Sequence, residues 1–192
     1  MRKYFLYLLL IFVSAGMSSC GYNRAVNLQE KVSGQWANVE NAYQRRADLI
    51  PNLVNTVKGY ASHEKQTLEG VIQARAEATK VTLNADNLTE ENIKRFERAQ
   101  EGLTGALSKL MMLRESYPDL KANQNFLTLQ AQLEGTENRI SVERRKYNEA
   151  VQEYNSAIRR FPTVIYAGWF DFRPKPYFEA KQGADVAPTV EF

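Results

Sequence analysis

Residues 32–60 read VSGQWANVENAYQRRADLIPNLVNTVKGY, and the spacing of the large side chains in this run decides the fold class. Val32, Trp36, Val39, Tyr43, Ile50, Leu53, Val57 and Tyr60 step by four, three, four, seven, three, four and three, and Arg46 fills the seam position inside the step of seven. Alternating steps of three and four put every one of these side chains on one stripe of a helix, whereas a half-buried strand alternates by two. This is the heptad phase of helices that pack along a seam.

The same reading extends down the chain. Leu68, Val71 and Ile72 carry an apolar face toward Ala74, Ala76 and Ala78, and residues 82–87 break the pattern. Thr89 before Glu90 and Glu91 has the form of an N-cap with an acidic first turn, and Ile93, Phe96, Leu103, Leu107, Leu110 and Met111 form the next stripe. Tyr117-Pro118 ends it, because a residue before proline disfavours helical geometry. Phe126, Leu129, Leu133, Thr136, Ile140, Tyr147, Val151, Tyr154, Ile158 and Phe161 then keep a three-four repeat until Pro162, which predicts a last helix of about 58 Å. Residues 23–80 as one straight helix would span about 87 Å, far longer than that partner. A bend or break is therefore expected, either at Pro51 behind Asp48 or at Gly59, where Ser62 and Glu64 start a new helix. The fold predicted is all-α, an antiparallel up-and-down bundle of three to four long helices over residues 20–162. Residues 163–192 carry Trp169, Phe170, Phe172, Tyr177 and Phe178 interleaved with Pro174 and Pro176, so an extended segment is expected there, with a tail after Gln182.

The first nineteen residues read as an address. Met1-Arg2-Lys3 is followed by an unbroken apolar run at residues 4–13 and then by small or polar residues up to Cys20, which is the grammar of a secretory leader. Even counted to Met17, the run makes only about 21 Å of helix against the roughly 30 Å of hydrocarbon a spanning helix crosses. Met17-Ser18-Ser19-Cys20 resembles a bacterial lipobox, which implies cleavage before Cys20 and acyl chains on it. Two such chains suffice for stable anchoring. The alternative is an uncleaved signal anchor, and both place the remaining chain outside the cytoplasm because Arg2 and Lys3 stay inside. Gly21 after the cysteine favours the outer membrane.

Composition narrows the chemistry. The 192 residues are 44% hydrophobic and 24% charged with 10 Gly and 6 Pro, as in one ordinary globular domain. Of 25 basic residues, Arg2 and Lys3 leave with the leader, so 23 face 22 acidic ones. That near-balance offers no electrostatic case for nucleic acid. One Cys and one His leave no intrachain disulfide, no zinc site of the usual ligand set and no Cys/His couple in the mature domain. No metal, cofactor or catalytic residue is expected.

Individual residues read mostly as structure. His63 and Glu64 are adjacent and point about 100° apart on a helix, so they are expected to be solvated or capping. Arg45, Arg46 and Asp48 read as a partly buried ion-pair layer in the seam, and Asp119 and Lys121 as turn caps. The row Thr136, Glu137, Arg139, Glu143, Arg144, Arg145 and Lys146 reads as a solvated, salt-bridged face, and Tyr43, Tyr147 and Tyr154 as seam residues. Residues 169–178 must either cover the bundle end or stay exposed for a partner.

The run RRADLIPNLV at residues 45–54, with Val57-Lys58-Gly59-Tyr60-Ala61 and His63-Glu64, strongly resembles the LemA family of bacterial envelope proteins. Tyr117-Pro118-Asp119-Leu120-Lys121-Ala122-Asn123, Tyr147-Asn148, Tyr154-Asn155, Phe161-Pro162 and Tyr177-Phe178 resemble it too. The resemblance implies a helical bundle on a membrane-anchored chain and carries no catalytic residues. It offers a membrane protease or a TPM-domain protein as partner. The leading expectation is a non-enzymatic lipoprotein that scaffolds or modulates an envelope component, with homo-oligomerisation open. The alternative is a solute-binding or envelope-stress sensing module in which Arg46, Glu64, Thr136 and Arg144 line a pocket. An enzyme would need Asp48, Glu64 or Glu137 to converge in a cleft.

Overall fold

The computed structural model describes residues 2–179, with side chains from Gly21 onward except that of Asp86. The readings of a leader over residues 1–19, of lipid attachment at Cys20 and of a tail after Gln182 lie outside the described side chains. Within that range the chain is all-α, and no strand occurs among the described residues. Its helices are α1 (Arg2–Tyr60), α2 (Lys65–Lys80), α3 (Glu90–Met112), α4 (Pro118–Lys121), α5 (Gln124–Arg159) and α6 (Thr163–Tyr166), with 3-10 turns at Ala85–Asn87 and Leu113–Glu115.

The stripe that defined α1 is the stripe it buries as far as Val57: Val32, Trp36, Val39, Tyr43, Arg46, Ile50, Leu53 and Val57 all lie in the interior, while Tyr60 at the end of the helix is exposed. Helix α1 continues through Pro51, so the first of the two expected break points is not one. Pro51 sits on the exposed face, and its missing N–H would have bonded the carbonyl of Ala47, four residues back. Arg75 of α2 supplies that bond instead, its Nε donating to the Ala47 carbonyl at 2.7 Å. Asp48 does not cap; it accepts from Gln44 Nε2 at 2.8 Å. The break falls at residues 61–64, as the second candidate anticipated, but neither Ser62 nor Glu64 makes a side-chain capping bond there. Thr89 does cap α3, accepting from the Asn92 N–H at 3.2 Å, and Asn123 caps α5 in the same way at 2.9 Å.

Helix α5 lies along α1, and the cross-helix partners descend in number on α5 as they ascend on α1. Lys31 pairs with Glu153 at 2.7 Å, Arg46 with Glu137 at 2.5 Å, and Asn123 Nδ2 donates to the Tyr60 hydroxyl at 2.7 Å. The pair α2 and α3 packs on this seam but is shorter: 16 and 23 residues against 36 in α5, or about 24 and 35 Å against 54 Å. Where the short pair stops, residues 81–89 and the segment after α6 cover the rest.

Residues 163–179 are not extended throughout. Residues 163–166 form one helical turn, Asp171 turns the chain at φ 57, a conformation Asp tolerates better than most, and only the residues from Phe172 onward run extended beside α5. Phe161, expected on the seam, lies beyond the end of α5 and is exposed.

Candidate functional site

A polar layer crosses the middle of the interior. Arg46 is 1% exposed; one guanidinium nitrogen donates to Glu137 at 2.5 Å and Thr104 Oγ1 at 3.1 Å, the other to Gln100 Oε1 at 2.5 Å. Gln100 passes the link on, its Nε2 donating to the Ala78 carbonyl at 3.2 Å. One side chain thus ties α1 to α3 and α5, and through Gln100 to α2. Arg46 also lies 5.1 Å from the centre of the Tyr43 ring. Its Nε has no partner among the described residues. A buried guanidinium of this kind adds little net stability, because removing the charge from water offsets the Coulombic gain.

Along α5 the charged row departs from expectation. The row is not a solvated face throughout: Thr136 and Glu143 are buried, because 136, 140, 143 and 147 continue the three-four repeat into the seam. Arg144 pairs with Glu97 at 2.5 Å with both largely shielded, and its guanidinium lies 4.5 Å above the Phe178 ring. Burial pushes the Glu97 carboxyl up from its ordinary value, and Arg144 offsets only part of that. Arg139, Arg145 and Lys146 do stay exposed, Lys146 reaching Glu143 at 3.1 Å.

The extended segment is clasped by two asparagines. Asn155 donates to the Lys175 carbonyl and accepts from the Lys175 N–H, both at 2.8 Å. Asn148 does the same with Phe178, at 3.0 and 2.9 Å, and the Tyr147 hydroxyl donates to the Pro176 carbonyl at 3.1 Å between them. Seven helical residues rise about 10.5 Å and three extended residues about 10 Å, so the two spacings match. Each carboxamide replaces the neighbouring strand that the segment lacks. Phe178 is thereby held against Trp36, stacked at 5.8 Å, and against Tyr147, edge-on at 5.3 Å. Burial among these rings pushes the Tyr147 phenol up. Tyr43 and Tyr154 are also core, as expected. The aromatic segment therefore divides, with Phe172 and Phe178 buried and Trp169, Phe170 and Tyr177 exposed.

The remaining candidates do not converge. Arg45 and Asp48 face solvent, leaving Arg46 alone to form the seam layer. His63 is exposed, and Glu64 accepts from the Tyr117 hydroxyl at 3.1 Å near the far turn. Lys121 pairs with Glu115 at 2.7 Å. Of the four residues read as one pocket, Thr136 borders an open groove of about 350 Å³ with Arg45 and Arg139, while Arg46, Arg144 and Glu64 are engaged elsewhere. Asp48, Glu64 and Glu137 likewise face three different partners: Gln44, Tyr117 and Arg46.

Reasoning from spacing passed over Gln100, Glu97, Asn148 and Asn155. Gln100 and Glu97 belong to a seam whose second side is visible only after folding. The asparagines did leave a signal, the dipeptide Tyr-Asn repeated seven residues apart at 147–148 and 154–155, each tyrosine pointing inward with a polar neighbour beside it.

The family description "LemA family" matches residues 35–192. Magnetosome protein MamQ 2 of Paramagnetospirillum magneticum and Magnetosome protein MamQ of Magnetospirillum gryphiswaldense are each 25% identical over 182 residues, covering 86% of this chain and 67% of theirs. Protein LemA of Metamycoplasma hominis is 24% identical over 160 residues, covering 83% of this chain and 69% of its own.

Proposed function

The chain belongs to the LemA family, and we propose that it is a non-enzymatic helical scaffold or modulator of an envelope partner, anchored outside the cytoplasm through an acylated Cys20, on the outer membrane. The reading takes α1, α2, α3 and α5 as an antiparallel up-and-down bundle. What supports it is the way α1 and α5 are pinned along their length, at Lys31 with Glu153, Arg46 with Glu137 and Tyr60 with Asn123. From Gly21 to Tyr60 that makes a stiff rod of about 60 Å. A rod joined at one end to a lipid anchor holds a surface at a set height above the membrane, which is work for a scaffold. A membrane protease or a TPM-domain protein is the partner class the proposal names.

Two experiments test it. Crosslinking in intact cells, followed by affinity purification and mass spectrometry, is expected to yield one dominant envelope partner; only self-crosslinks would replace the scaffold by a homo-oligomeric structural role. The control replaces the exposed Trp169, Phe170 and Tyr177 by Ser and keeps Phe172 and Phe178, which are core. Separately, Cys20→Ala is expected to abolish acylation and leave the precursor uncleaved; normal maturation would rule out the lipid anchor.

A further inference from the structure

The end of the bundle at which Gly21 lies exposes a cluster of large apolar side chains. Trp169 is 81% exposed and Phe161 78%, and Val164, Ile165 and Phe170 are each more than half exposed. These five large apolar side chains fall within ten residues of chain, at the end of α5 and around α6. Helix α6 is seated on α1 at that point: Gly21 faces the Tyr166 hydroxyl and Thr163, and the Tyr22 ring meets Phe170 edge-on at 4.9 Å. Apolar exposure on this scale marks a surface that something covers.

Charge identifies what covers it. Arg24, Arg160 and Phe161 line an open groove of about 740 Å³ between α1 and α5, whose one acid, Glu153, is already paired with Lys31. Arg24, Arg159 and Arg160 make no ion pair among the described residues. Cations bordering exposed aromatic and branched apolar side chains are the composition of a surface that lies at the boundary between anionic headgroups and acyl chains. The lipid is also close. The apolar run of residues 4–13 ends eight positions before Gly21 on the same helix, about 12 Å along its axis, and Cys20 directly precedes Gly21. Either form of anchoring brings a bilayer to this end.

We infer that this end of the bundle docks on the lipid surface, with Phe161, Ile165 and Trp169 entering the interfacial zone and Arg24 and Arg160 meeting anionic headgroups. The inference rests on the proposed membrane attachment and adds to it. An anchor alone leaves the rod free to tilt, whereas a second, rigid contact sets its angle to the membrane, and with it the position of whatever surface the far end presents.

The chain has two tryptophans, Trp36 in the core and Trp169 at this end, which makes the docking measurable in the full-length protein. The protein is reconstituted into phosphatidylcholine vesicles with or without phosphatidylglycerol, made with ordinary or brominated acyl chains, and floated on a density gradient. Flotation reads attachment and quenching of Trp169 reads docking, with Trp169→Phe supplying the Trp36 background. Expected is a blue-shifted Trp169 emission that brominated lipid quenches, more strongly with phosphatidylglycerol. Arg24→Glu combined with Arg160→Glu is expected to abolish the dependence on anionic lipid while flotation persists. Floated protein whose Trp169 emission stays that of a water-exposed indole overturns the docking and leaves the attachment standing. A blue-shifted emission untouched by brominated lipid also overturns it, in favour of a protein or a second copy covering the ring. Protein that does not float overturns the attachment and the docking together.

Discussion

On the side of Arg46 toward Gly21 the interior gathers the rings of Trp36, Tyr43, Phe96, Tyr147, Tyr154, Phe172 and Phe178 among aliphatic side chains such as Val32, Ile93 and Ile158 around α1 and α5. On the other side it is made of branched aliphatic chains from Ile50, Leu53, Val57, Leu103, Leu110, Leu120 and Leu133, with Phe126 the one buried ring. The two halves close their interiors differently. In the aliphatic half helix packs on helix, and small side chains interdigitate at close range. In the aromatic half α2 has ended and α3 contributes Ile93 and Phe96, and a loop and an extended segment complete the interior with Leu83, Leu88, Phe172 and Phe178. Segments of that kind cannot bond to themselves, which is why Asn148 and Asn155 are needed there and have no counterpart in the aliphatic half.

If the halves depend on different supports, damage to one should be felt there first. The largest effect is expected from Phe178→Ala, about 3–5 kcal/mol lost to the cavity among Trp36, Tyr147 and Arg144. Urea unfolding followed by Trp36 emission in a Trp169→Phe background measures it, and hydrogen exchange tells whether the loss stays in the aromatic half. Leu110→Ala, fully buried in the aliphatic half, is the matching control and should raise exchange there, at about 2–5 kcal/mol. Uniform exchange in both variants would show one cooperative core and dissolve the distinction.

Next comes Pro51→Ala, which restores an intrahelical N–H in the aliphatic half and should stabilise the protein by up to about 3 kcal/mol. Asn148→Ala and Asn155→Ala should each cost about 1–3 kcal/mol, since each strands a backbone donor and acceptor. A melt in which they cost nothing would mean that the rings alone hold the segment. Arg75→Ala should cost about 1 kcal/mol, and the cost should fall toward zero once Pro51→Ala supplies its own donor to Ala47, a coupling that a double-mutant cycle reads.

The smallest effect is a pH dependence. Burial raises the Glu97 carboxyl above its ordinary 4.5 in the folded protein, so the folded state holds that proton more tightly than the unfolded chain. The contribution of Glu97 is therefore most favourable below 4.5 and is lost as the pH rises through the raised value. Stability of the wild type relative to Glu97→Gln should decline over that window, and parallel stability curves would show that Arg144 cancels the burial entirely.

Much of this could be read from spacing. The stripe on α1, the cap at Thr89 and the inward tyrosines of α5 follow from periodicity and local backbone chemistry, which act within one helix; α3 instead ends at Met112, ahead of the expected Tyr117-Pro118, and Pro118 opens α4. Pro51 could not be read that way, because whether a proline breaks a helix depends on whether another element offers its orphaned carbonyl a donor, and Arg75 is 28 residues away from Ala47. Glu143 was hidden in a charged row although its position in the repeat marked it as inward. The aromatic segment could not be divided by composition, since burying Phe172 and Phe178 while exposing Trp169 depends on a turn at Asp171 and on which side of α5 the asparagines face.

The one-dimensional pattern by itself determined that the chain is helical, where most helices start and stop and which stripe of each is apolar, because those properties depend on neighbours within a few residues. Only the tertiary structure decided that the core is split by Arg46, that an extended segment completes one half and that the leftover rings gather beside Gly21 and Tyr22 of α1. Each of these depends on groups far apart in the chain meeting at a distance of a few ångströms, where hydrogen bonding and packing act and sequence separation has no influence.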